Sequence, residues 1–200
     1  MSSVLTQDEG VSLRDLLDPR PRVTGLPKLY EVIHGEIRER PTVSTRARHI
    51  SNRLNRAVIT YLNDNPHGEC EVEQAFHIPQ PEDAGRTRIP DWSYVSFARW
   101  PADRAGSATA NAWDVVPDIA AEVVSPSDPA DDLIAKVREY LRGSVRLVWV
   151  FYPQVGEVQA YWAGANTIRV YAATDELDAG DILPGFRTPV APLFPPVTPA

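Results

Sequence analysis

Cysteine is almost missing from this chain, with Cys70 standing alone. An internal disulfide is therefore excluded, and no CxxC pair exists to seed a zinc site. Lysine is nearly as scarce: Lys28 and Lys136 stand against 18 arginines. No apolar run approaches the roughly 20 residues of a membrane span. No charged-then-apolar leader opens the sequence. These absences make the cytoplasm the expected compartment and give no reason to expect a membrane partner. Positive charge is lacking too. A net charge of −7 counts against strong non-specific nucleic-acid binding. The deficit is uneven, because residues 38–56 hold six arginines and one acid, Glu39. Such a patch could hold phosphates with modest affinity.

What is present suffices for a packed core without staples, since 43% of the 200 residues are hydrophobic and 24% charged. Residues 1–28 read as peripheral. A short capped apolar stripe spans 6–17, and Pro19, Pro21 and Pro27 then break regular structure. One domain is expected over 29–194, followed by a tail at 195–200. Segments 29–33 and 36–40 flank His34-Gly35 as a hairpin. The spacing of Ile50, Leu54, Ala57, Tyr61 and Leu62 predicts a helix over 45–63. On it Arg46, His49, Arg53 and Arg56 fall within a sector roughly 80° wide at about 100° per residue. That stripe is either a solvated face or a phosphate-contacting one.

Alternation predicts a strand over 71–79, with Val72, Gln74, Phe76 and Ile78 on one face, and a second over 88–97. A long Ala-rich excursion from 100 to 116 follows. The strand at 118–124 is apolar on both faces, as a central strand is. Pro126, Asp128 and Pro129 end it and open a helix over 128–142, with Asp128 as N-cap and Gly143 as terminator. Another buried strand is expected at 146–152, then a hairpin of 157–162 with 167–172 around Gly164.

Glu122 is the anomaly. A carboxylate between Ala121 and Val123, inside a doubly buried strand, needs a cation, hydrogen bonds or a proton. Lys136 lies at the shoulder of the Leu133, Val137, Tyr140, Leu141 stripe, where it could reach the sheet. Glu122 sits about 7–10 Å before its strand's end. Lys136 sits about 10 Å past its helix start. A helix doubling back over the sheet brings them level. Asp91 follows Pro90 at a strand entry. On a neighbouring strand its carboxylate could share a divalent ion with Glu122, and magnesium favours one or two protein carboxylates. Two carboxylates, a cation and a lysine suit phosphodiester hydrolysis. Other readings remain beside this one: a structural glutamate, a surface lysine paired with Asp132 or Glu139, an exposed aspartate.

The order helix, three strands, helix, strand, with Pro90-Asp91 on the second strand and Glu122 on the third, resembles the PD-(D/E)XK nuclease core. More narrowly, the chain resembles the Uma family of restriction-endonuclease-like proteins between Tyr30 and Phe194. The matching residues are Tyr30-Glu31-Val32-Ile33-His34-Gly35-Glu36, His49, Pro90-Asp91, the run from Pro117 to Ser127, Lys136 with Tyr140, Val148-Trp149-Val150 and Leu183-Pro184-Gly185-Phe186. The resemblance implies an α/β fold of restriction-endonuclease type, a mixed central sheet flanked by helices with an added C-terminal β-hairpin. Val124 stands where the lysine of (D/E)XK would be, and the resemblance implies that Lys136 has taken its place from the following helix.

The resulting expectation is an endonuclease that uses Mg²⁺ or Mn²⁺ to hydrolyse DNA, with RNA open as an alternative. Asp91, Glu122 and Lys136 are the expected catalytic residues. Asp91, Glu122 and the Val123 carbonyl are the expected metal ligands, and Arg46, His49, Arg53 and Arg56 the expected substrate contacts. Asp118 shares a strand face with Glu122 and rivals it. Glu31 and His49, in segments that match the family, are further candidates for the border of the site, and Gln74 is a candidate for contact with metal-bound water. Two other classes stand beside the enzyme: an inactive nuclease-fold binding module, and an interaction protein that dimerises through Trp149, Trp162 and the late hairpin.

Overall fold

His34 and Gly35 both adopt positive φ, 52° and 74°, the backbone of a type I′ turn. They join β1 (Tyr30–Ile33) to β2 (Glu36–Glu39) as an antiparallel pair. The computed structural model describes residues 29–40, 43–105, 112–126 and 128–196. The apolar stripe expected at 6–17 lies outside the described residues. Ser44 then caps α1 (Thr45–Asp64), its Oγ accepting the Ala47 N–H at 3.1 Å. The helix buries Ala47, Ile50, Leu54 and Val58, one stripe at helical spacing.

The expected strand at 71–79 is two strands. β3 (Gly68–Val72) and β4 (Ala75–His77) belong to different sheets, and Glu73 between them holds φ at 56°. That left-handed step reverses the alternation. Val72 packs into one core cluster, while Phe76 and Ile78 pack into the other. The strand expected at 88–97 also divides, into β5 (Thr87–Arg88) beside β4 and β6 (Trp92–Ser96) in the main sheet. The excursion after Trp100 contains α2 (Ala102–Ala105) and β7 (Ala112–Trp113). β8 (Ile119–Val123), α3 (Ala130–Arg142), β9 (Leu147–Tyr152), β10 (Glu157–Trp162) and β11 (Ile168–Tyr171) complete the centre. A further hairpin, β12 (Glu176–Asp178) with β13 (Arg187–Pro189), follows them.

The main sheet runs β11-β10-β9-β8-β6-β3. β8 and β9 are parallel and the other neighbours antiparallel. A parallel pair requires a crossover, and α3 supplies it. α1 and the C-terminal segment cover one sheet face through Trp92, Ala121, Val123, Trp149, Phe151 and Phe194. α3 covers the other through Val137 and Tyr140, against Ala120, Val148 and Val150. The fold is thus the mixed, helix-flanked α/β sheet expected from the sequence. Two details differ. Pro129, in extended conformation, takes the N-cap position of α3, and the Asp128 carboxylate instead accepts the Ser125 N–H at 2.8 Å. Trp149 is fully buried, stacked 5.9 Å from Trp92, so it cannot serve a dimer surface.

Gly143 ends α3 at an ordinary φ of −75°. Its need for glycine is spatial, because an added Cβ would stand 2.3 Å from the Ile78 Cγ2. We expect Gly143→Ala to cost about 1–3 kcal/mol by overpacking. A thermal melt should show a drop of roughly 2–4 °C per kcal/mol, and an unchanged melt would contradict this packing.

Candidate active site

β8 alternates within a sheet covered on both sides. Ile119, Ala121 and Val123 face α1, so Glu122 must face α3. There the helix meets it with two donors one turn apart. Lys136 Nζ donates to Glu122 Oε2 at 2.9 Å and the Tyr140 hydroxyl to Oε1 at 2.6 Å. Asp91 arrives from the neighbouring strand. The register pairs Trp92 with Ala121, which sets Asp91, one residue earlier, opposite Glu122 and on the same face. Asp91 Oδ2 accepts the Val123 N–H at 2.6 Å, and the Arg40 guanidinium holds Oδ1. Asp91 is 4% exposed and Glu122 6%.

Behind these two acids lies a chain of ion pairs. Glu31 accepts the Ile89 N–H at 2.9 Å and Arg88 Nη1 at 2.8 Å, and it stands 4.0 Å from Lys136 Nζ. Arg88 reaches on to Glu139, its Nε 2.9 Å from Oε2. Arg86 pairs with Glu139 and with Asp83, the latter at 3.0 Å. The alternating charges fix hairpin, strand and helix to one another. They open onto a cleft of about 750 Å³ lined by Glu31, Arg40, Asp91, Glu122, Val123 and Lys136 among others.

The acids titrate apart. Burial pushes the Glu122 carboxyl above its ordinary 4.5. Lys136 pulls it back, Asp91 adds to the rise, and Arg40 and the Tyr140 hydrogen bond oppose it. Burial would also raise Glu31, but Lys136, Arg88 and the Ile89 N–H together hold it below 4.5. Burial and then the Glu122 charge keep Tyr140 a neutral donor, well above 10. Two carboxylates driven apart in this way, beside a lysine in a cleft, make the group a functional-site candidate.

Asp91, Glu122, Val123 and Lys136 thus converge. Glu31, a border candidate in the sequence, stands beside them at 4.0 Å from Lys136 Nζ, whereas Asp118, Gln74 and the α1 stripe do not join them. Asp118 lies four residues up β8, about 13 Å away at strand rise. There it accepts the Ser96 N–H at 2.9 Å and pairs with Arg99 at 3.1 Å. Gln74 is half-buried beside the Glu73 break and donates to the Ala75 carbonyl at 2.9 Å, away from the cleft lining. The arginine stripe of α1 lies outside the cleft as well. Arg53 is tied to the Pro192 carbonyl and, at 3.0 Å, to that of Phe194, so it holds the C-terminal segment in place. His49 is half-buried, while Arg46 and Arg56 are exposed. Arg40 and Arg88 give no signal in the sequence, because their acidic partners lie 51 or more positions away. Tyr140 carries a usable one: it stands one turn from Lys136 on the same helix face.

Among the described residues no group of three or more His, Cys, Asp or Glu is arranged to hold a metal ion. Two carboxylates on adjacent strands of one cleft fit an oxygen-seeking ion that keeps most of its waters, as magnesium does. Among the described residues each oxygen of Asp91 and Glu122 accepts one hydrogen bond, which leaves it a second lone pair.

Residues 22–191 match the family model Uma2, described as "Putative restriction endonuclease". No curated protein matches the chain. Among solved structures, a crystal structure titled as a putative nuclease belonging to DUF820, from Anabaena variabilis ATCC 29413, superposes with a TM-score of 0.70. It shares 17% identity over 84% of this chain and 93% of the other, a likeness of fold. The family match runs through both site-bearing strands and the helix between β8 and β9, and on that ground the chain belongs to the Uma2 family.

Proposed function

We propose that this protein is a metal-dependent endonuclease that hydrolyses phosphodiester bonds of DNA. One observation carries the reading. Asp91 and Glu122 face each other across adjacent strands at the floor of an open cleft, with Lys136 Nζ 2.9 Å from Glu122. Asp91 and Glu122, helped by the Val123 carbonyl, would hold Mg²⁺ or Mn²⁺. When bound, the ion supplies Lewis acidity toward a phosphate oxygen and toward the attacking water. Lys136 has three donors and uses one on Glu122. The others can orient that water and offset charge building on the phosphate as the water's oxygen bonds to phosphorus and one P–O ester bond breaks. The Tyr140 hydroxyl fixes the second Glu122 oxygen, so the carboxylate cannot swing away when Lys136 turns. Arg46 and Arg56, exposed on α1, suit contacts to flanking phosphates, which position a strand without reading its sequence.

A second reading has its own support. Arg40 and Lys136 already neutralise the two acids, which is what a nuclease-fold binding module without catalysis would show. Metal affinity separates the two. Weak but measurable Mn²⁺ binding by the wild type, lost in Asp91→Asn, belongs to the enzyme, and no binding belongs to the module.

Two expectations follow for the enzyme. Asp91→Asn, Glu122→Gln and Lys136→Met should each lower metal-stimulated cleavage of plasmid DNA by at least about 100-fold, with circular dichroism unchanged. Normal cleavage by any folded variant would remove that residue from the site. The Glu122 carboxyl, followed by ¹³C NMR in metal-free protein, should titrate above 4.5. Removing the Asp91 charge should lower that midpoint, and removing Lys136 should raise it. Because the folded state then binds the proton more tightly than the unfolded chain, Glu122 favours folding below 4.5, and this contribution is lost as pH rises through the folded midpoint. A midpoint that ignores both substitutions would contradict the geometry.

A further inference from the structure

Arg40 follows β2 directly, and its N–H donates to the Leu29 carbonyl at 2.8 Å, so the hairpin fixes its backbone. Its side chain is only 9% exposed and lines the cleft. One guanidinium nitrogen, Nη2, lies on Asp91 Oδ1, while the other, Nη1, is buried without a hydrogen-bond partner among the described residues. A buried guanidinium N–H left unpaired is costly, and its persistence at the wall of a cleft points to a ligand that completes it. The donor face of guanidinium matches the non-bridging oxygens of a phosphodiester, two at a time.

The position of Arg40 imposes an order of events. Asp91 accepts the Val123 N–H through Oδ2 and Arg40 through Oδ1, so an incoming cation would share this carboxylate with the guanidinium. Guanidinium and a divalent ion cannot share it without repulsion. We propose that Arg40 receives the scissile phosphate. It rests on Asp91 while no ion is bound, and it turns both nitrogens to the phosphate's non-bridging oxygens once the ion takes the carboxylate. This inference rests on the nuclease reading and adds to it a phosphate-contacting residue that also competes with the metal. The chemistry remains hydrolysis of one P–O bond by water, and Arg40 forms no covalent bond.

The test uses the full chain, with Mn²⁺ binding measured calorimetrically and binding to a mixed-sequence DNA duplex measured by anisotropy in Ca²⁺. Arg40→Met removes the competitor and the phosphate donor together. It should bind Mn²⁺ about tenfold more tightly and the duplex about tenfold more weakly than the wild type. Unchanged Mn²⁺ affinity, or undiminished duplex affinity, in folded Arg40→Met overturns the assignment. Should that variant fail to fold, Arg40→Lys carries the test, since it keeps the charge but loses the paired donors. Duplex affinity lowered with Mn²⁺ binding no weaker than wild type then supports the proposal, and unchanged duplex affinity overturns it. A wild type that cleaves DNA and binds Mn²⁺ while Arg40→Met behaves identically refutes Arg40 alone. A wild type that binds no Mn²⁺ refutes the nuclease reading itself.

Discussion

Desolvation of the Glu122 carboxylate sets the terms for the rest of the molecule. Its strand is central, covered by α1 on one side and α3 on the other. An ionised acid in that position survives only if charge and hydrogen bonds are delivered to it. α3 delivers both, through Lys136 and Tyr140, and can do so because it is the crossover between parallel β8 and β9. Deleting one member of such a buried pair typically costs on the order of 3–5 kcal/mol. The position of the helix over the sheet is therefore coupled to the charge state of one side chain.

The same constraint spreads outward. Lys136 stands between Glu122 and Glu31, so the β1 hairpin shares a cation with the central strand. Arg88 links Glu31 to Glu139, and Arg86 links Glu139 to Asp83, whose carboxylate also accepts the His34 N–H at 2.6 Å. Four segments distant in sequence are pinned by alternating charges in addition to their apolar packing. An apolar substitute would bury as well, but it would leave the cleft without polar chemistry.

Glu122 is legible in the sequence because a charged residue in an unbroken apolar strand violates the burial rule, and the violation is local. The hairpin at His34-Gly35 and the stripe of α1 are legible for the same reason, since their signals lie within a few residues. The break at Glu73 is not, because a single positive φ leaves the hydrophobic alternation from Val72 to Ile78 undisturbed in one dimension. Asp118 shows the limit of parity reasoning. It shares a face with Glu122, yet position along the strand, set by Ser96 and Arg99, takes it to another end of the sheet. Arg53 and Arg40 mislead in opposite directions. Arg53 has the spacing of a phosphate contact and instead holds the C-terminal segment. Arg40 has the sequence context of an ordinary exposed arginine and instead lies on Asp91.

Charge pairing also bears on how an acidic protein could engage a polyanion. The cleft carries Arg40, Arg86, Arg88 and Lys136, but each is matched by an acid of the same chain. With a net charge of −7, long-range attraction to a phosphate backbone is weak. On the proposed function, productive binding would draw on a local change of charge, and a divalent ion held by Asp91 and Glu122 would be that change. It would relieve the repulsion between the two acids and free cations now engaged with them. In such an arrangement affinity for phosphate and occupancy of the ion would be one coupled equilibrium, so an acidic protein that repels nucleic acid at a distance could still hold it in the cleft.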